Sequence, residues 1–69
     1  MTARDLIFRA DCIAREQGLT QAQWSRAAGY ALSGQTVSRA VNRGDCRLST
    51  MISLLSPLGY ELRIVKVDE

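Results

Sequence analysis

Residues 19–44 read LTQAQWSRAAGYALSGQTVSRAVNRG, and the way this stretch divides decides the fold. Thr20 has a hydroxyl that can accept a first-turn N–H, so it predicts the cap of a helix over Gln21–Ala28. Trp24 and Ala28 face inward on that helix, and Gly29 closes it. Ser33 is the next cap, for a helix over Gly34–Arg43 ended by Gly44. At about 100° per residue, Val37, Ala40 and Val41 form a narrow apolar stripe on this second helix. Gln35, Ser38, Arg39 and Asn42 centre the opposite side, with Thr36 and Arg43 on one flank. The helix contains no acidic residue. A helix facing only water ordinarily mixes Glu with Lys and Arg, so this face is built to touch something.

Working outward, Thr2 and Asp5 form a capping pair for a first helix reaching Gln17. Its apolar stripe is Leu6, Ile7, Ala10, Ile13 and Ala14, and Gly18 stops it. Ser49 reads as the cap of a last helix through Leu55, with Met51, Ile52, Leu54 and Leu55 as its apolar side. Pro57 cannot continue that helix, so it ends near Ser56 or runs on as a turn to Gly59. The segment YELRIVKV changes period: residues 61–67 alternate and are rich in β-branched side chains, which predicts a strand. No other segment reads as a strand. Its backbone groups would then pair with the same strand of a second chain about a two-fold axis, through Leu62, Ile64, Val65 and Val67. The alternative is a tail that frays or packs down as an extended segment. The expected fold is an all-α domain of four to five helices with this C-terminal strand.

The 69 residues read as one domain, 1–69, without repeat, linker or low-complexity tract. A hydrophobic content of 46% with 23% charged residues is that of a globular chain rather than a disordered one. No apolar run approaches a membrane span, and Asp5 and Asp11 argue against a signal peptide, so the expected place is the cytoplasm. Cys12 and Cys46 read as buried or half-buried thiols, with a disulfide as the alternative. Histidine is absent, two thiols make a poor zinc site, and neither cysteine has a base partner. There are no paired carboxylates and no glycine-rich phosphate loop. The chain is therefore expected to be no enzyme and to carry no metal or cofactor.

The net charge is only +2, but it is gathered in the middle. Residues 26–47 hold Arg26, Arg39, Arg43 and Arg47 against Asp45 alone, a local net charge of +3. Clustered positive charge suits a phosphate backbone. Arginine can bond O6 and N7 of guanine together, and Gln or Asn can do the same with N6 and N7 of adenine. Gln35, Ser38, Arg39 and Asn42 are thus candidate base contacts. Ser33 and Gly34, at the opening of that helix, would approach phosphate with free N–H groups. Gln21 and Gln23 in the first turn of the preceding helix would clamp another phosphate, and Arg43 and Arg47 would contact the backbone. Arg4, Arg9 and Arg15 are balanced by nearby acids and read as the solvated side of the first helix. Trp24 reads as core. Tyr60 could stack on a base, and Tyr30 could touch a phosphate.

LTQAQWSRAAG, SGQTVSRAVNRG and LSTMISLLSPLGYEL together resemble the Cro/repressor-type (xenobiotic-response-element) helix-turn-helix family, across residues 6–62. The most specific matches are Leu19-Thr20-Gln21, Ala28-Gly29, Thr36-Val37-Ser38-Arg39 and Leu58-Gly59. The resemblance implies a third helix in the major groove of double-stranded DNA and a homodimer on an inverted repeat. It implies DNA contact by Gln35, Thr36, Ser38 and Arg39, and a phosphate contact by Gln21. The chain departs from the pattern in a longer link before Thr36, in Trp24 where leucine is common, and in Ser25 for alanine. It is also similar to small phage or mobile-element regulators, including those of anti-CRISPR operons, that repress their own promoters. The alternative is similarity to addiction-module antitoxins, which bind a toxin as well as DNA. A purely protein-binding module, using the strand as an edge, is the remaining rival.

Overall fold

The computed structural model describes residues 2–30 and 35–67. Its elements are α1 (Ala3–Glu16), α2 (Gln21–Ala27), α3 (Gln35–Arg43), α4 (Leu48–Leu55) and a 3-10 turn at Ser56–Leu58. The chain is all-α, and the described residues include no strand.

Two helices begin as the sequence predicts. The Thr2 hydroxyl accepts the Asp5 N–H at 3.1 Å, and Asp5 Oδ2 accepts the Thr2 N–H at 3.2 Å. At α2 the Thr20 hydroxyl accepts from Gln23 N at 3.1 Å, while Gln23 Oε1 accepts from Thr20 N at 2.9 Å. Each reciprocal pair satisfies two N–H groups that a helix start otherwise leaves to water. Two ends also follow. Gly18 N and Leu19 N donate to the Arg15 and Ala14 carbonyls, and Gly29 N and Tyr30 N donate to Arg26 and Ser25. Gly29 makes this possible at φ +92, which a residue with a Cβ rarely adopts.

Other boundaries move. α3 begins at Gln35 among the described residues; the expected cap Ser33 and first helical residue Gly34 lie outside them. α4 starts at Leu48, so Ser49 is not its cap. Arg47 holds the cap position without a side-chain bond, and its carbonyl accepts Met51 N at 3.0 Å. The backbone ladder alone closes that first turn. Ser49 lies inside the helix, where its carbonyl accepts the Ser53 hydroxyl at 3.1 Å. Pro57 sits within the 3-10 turn and Gly59 ends it in the left-handed conformation, the continued-turn reading.

The core is Ile7, Ala10 and Ala14 of α1, Trp24 of α2, Val37 and Ala40 of α3, and Met51, Leu54, Leu55 and Leu58. Leu6, Ile13, Ala28, Val41 and Tyr30 pack against it, half-buried. Ile52, expected on the apolar side of α4, is half exposed (52%). Met51, Leu54, Leu55 and Leu58 already fill the three- and four-residue spacing that faces the core, which leaves Ile52 outside it.

Residues 61–67 carry no regular secondary structure, so the expected strand does not form within one chain. Its backbone finds no ladder partner among the described residues. Leu62 turns in against the core instead, lining a cleft with Leu6, Ala10, Ile13 and Leu55. Ile64, Val65 and Val67 remain exposed. Both cysteines are free; Cys12 is exposed, against expectation, and Cys46 is half-buried.

Trp24 is the largest fully buried side chain. Its indole Nε1–H donates to the Leu54 carbonyl at 2.7 Å, in the last turn of α4, where carbonyls lack helical partners. Gln17 Nε2 does the same for the Leu58 carbonyl at 2.9 Å. Replacing Trp24 by Phe keeps an aromatic ring but orphans the buried carbonyl. The expected cost is about 1–3 kcal/mol, read as a lower urea midpoint at unchanged slope.

Candidate nucleic-acid interface

Packing orients α3. Val37 (0% exposed) and Ala40 are seated in the core, Val41 is half-buried, and the opposite side faces solvent. Gln35, Arg39, Asn42 and Arg43 are exposed there, with Ser38 and Thr36 half-buried. The helix thus presents the two faces that its spacing predicts. Asn42 Nδ2 donates to Ser38 Oγ at 3.4 Å, a long hydrogen bond one turn apart that pre-arranges both groups.

The expected DNA-facing residues fall into two sets. Gln35, Ser38, Arg39 and Asn42 run as a stripe along α3 at three- and four-residue steps. Thr36, Arg39, Arg43 and Arg47 instead line a shallow groove between α3 and the loop to α4, joined by Ala40, Asp45, Cys46 and Thr50. Arg39 belongs to both. Sequence reasoning misses Thr50; it stands three residues after Arg47, a spacing that has meaning only once α4 is known to start at Leu48.

The electrostatics of the groove are one-sided. The ion pairs among the described residues are Asp11–Arg15 at 3.0 Å and Glu61–Arg63 at 2.6 Å. Arg26, Arg39, Arg43 and Arg47 take part in neither. Asp45, the one acid of the groove, spends Oδ1 on the Cys46 N–H at 2.8 Å. Three arginines around one carboxylate leave the groove net positive, the sign that suits a chain of phosphates.

Gln21 is half-buried in the first turn of α2, and Gln23 is exposed beside it. Gln23 is expected to clamp a phosphate, but its Oε1 is committed to the cap of α2. That leaves only its Nε2 to donate outward. Trp24 lies in the core and offers no ring to a base. Tyr30 packs against the core, and Tyr60 is half exposed. Of the expected inter-chain residues, Leu62 packs against the core within the chain, whereas Ile64, Val65 and Val67 are exposed.

Three side chains of the first two helices depart from a simple polar-outside pattern. Asp11 is buried (7% exposed), paired through Oδ2 to the exposed Arg15, with Oδ1 unpartnered. Ser25 is fully buried with an unpartnered hydroxyl. Arg4 is not simply solvated: its guanidinium lies over the Phe8 ring, 5.8 Å from the centroid, and against Gly44 at the end of α3.

No group of three or more metal-ligating side chains occurs among the described residues, and none of their helices is long and apolar enough to cross a membrane. Compared with known proteins, the chain matches no family model, no curated protein and no solved structure.

Cys46 sits in the groove with its thiol pKa raised, first by burial and then by the Asp45 carboxylate. It therefore stays protonated at neutral pH and is a poor nucleophile there. In a Cys12→Ser chain, iodoacetamide should label Cys46 more slowly than a free thiol at pH 7. The rate should keep climbing past pH 9, followed by intact mass.

Proposed function

We propose that the chain is a sequence-specific DNA-binding repressor of the helix-turn-helix type, with α3 as the reading helix, acting as a homodimer on an inverted repeat. One observation carries this reading: the outward face of α3 is free of acids and continues into a groove of arginines that no carboxylate of the described residues pairs. A carboxylate on this face would repel phosphates lining a major groove; none is there. The stripe Gln35, Ser38, Arg39 and Asn42 offers the groups that read base edges, while Arg43 and Arg47 offer charge to the backbone. The sequence resemblance to Cro/repressor-type domains points the same way, as does the packing of α2 against α3. Autoregulation of its own operon is the mode this class of small regulator suggests.

The homodimer rests on the tail. Ile64, Val65 and Val67 are exposed, and Ile64 is fully so. Pairing residues 61–67 with their counterparts in a second copy would cover these side chains and give the backbone a ladder. The same exposed edge favours a second reading, an antitoxin whose tail is covered by a toxin.

Selection from a random pool of duplexes tests the main reading. The wild-type chain should enrich an inverted repeat with half-site centres about 34–36 Å apart. On that duplex Arg39→Ala should lose about 1–3 kcal/mol of binding and relax preference at one base pair, with the thermal midpoint nearly unchanged. Full specific binding by the variant would remove α3 as the reader. Deleting residues 63–69, which leaves Leu62 in its cleft, should give monomers by sedimentation and much weaker operator binding. A persisting dimer would place the two-fold interface elsewhere.

A further inference from the structure

We infer that Arg4, from the first turn of α1, is a phosphate-binding member of the α3 surface; this rests on the DNA-binding reading above. The tertiary fold makes the juxtaposition. A Cβ built on Gly44 would come within 2.8 Å of Arg4 Cζ and Nε and 2.9 Å of Nη2, so the guanidinium lies against the backbone that ends α3. Gly44 is the link between Arg43 and Asp45, which line the arginine groove together with Arg47. Residue 44 has no Cβ to push the guanidinium away, and its φ of +69 also favours glycine.

Arg4 is exposed and enters none of the ion pairs among the described residues. The neighbouring acid, Asp5, is occupied by the Thr2 N–H in the helix cap. The Phe8 ring supports the guanidinium from α1, 5.8 Å away, and limits the freedom an arginine loses on binding. The position matters electrostatically as well. The C-terminal end of a helix carries partial negative charge, which would oppose phosphate beside Arg43 and Arg47. A guanidinium at that end offsets it.

The competing role is purely structural, with Arg4 capping α3 and touching no ligand. Salt dependence separates the two, because every phosphate that a cationic side chain neutralises releases counterions, and removing the side chain removes that release. Affinity of wild type, Arg4→Gln, Arg4→Lys and Arg39→Ala would be measured against salt, on the selected duplex and on a mixed-sequence duplex. Arg4→Gln should weaken both complexes equally and flatten the log–log salt slope by about one unit. Arg4→Lys should restore the slope, since the charge returns. A lower melting point for Arg4→Gln with an unchanged slope would overturn the assignment, and so would an unfolded Arg4→Gln chain. If Arg39→Ala loses base preference while Arg4→Gln binds like wild type, only the Arg4 assignment falls. If wild type binds neither duplex, the DNA reading falls with it.

Discussion

A domain of this size has one large side chain around which everything else must close, and here it is Trp24. Its ring fills the space between α2 and α4, and its N–H ends on the Leu54 carbonyl. The bond does two things at once. It satisfies a donor that could not otherwise be buried, and it satisfies an acceptor left over where α4 stops. Ala10, Ala14 and Ala40 allow close approach around the ring's neighbours, so a core with few large residues still packs. Leu54 has to sit where the indole reaches it, and that in turn fixes α4 and the turn beyond.

The core sets the aim of α3. Only Val37 and Ala40 are fully committed inward, with Val41 at the edge. A stripe that narrow leaves most of the helix circumference outside. Its outward groups are amides, hydroxyls and guanidinium, all donors or acceptors that water satisfies when no ligand is present. Surface arginines without carboxylate partners cost little in stability and repel one another only weakly in salt. The fold tolerates this face without requiring it.

The tail obeys a different constraint. Leu62 is held in the cleft of α1 and Leu55, and beyond it residues 63–67 are exposed. Glu61 and Arg63, two residues apart, form an ion pair, and Ile64 beyond them is fully exposed. An exposed apolar residue alone means little, but Ile64, Val65 and Val67 put three within four positions.

The helices themselves were legible in the sequence because their signals are local. Thr2, Thr20, Gly18 and Gly29 act within one turn of the bonds they make, and the stripes of α1 and α3 follow from residue spacing alone. The acid-free face of α3 was legible for the same reason. What lay beyond sequence depended on which elements meet. Ser49 resembled a cap, yet backbone hydrogen bonding from Arg47 began α4 earlier. The division of the outward polar and basic residues into stripe and groove required the loop that brings Arg47 beside Arg39. By spacing Arg4 is balanced by nearby acids, and only the approach of α1 to the end of α3 shows its guanidinium lying against Gly44. Residues 61–67 alternate like a strand, but pairing needs a second edge, and the described residues contain none. Sequence determined the short-range hydrogen bonds and the faces of each helix; tertiary structure decided which charges stand side by side, because distances across elements are set by packing and not by spacing along the chain.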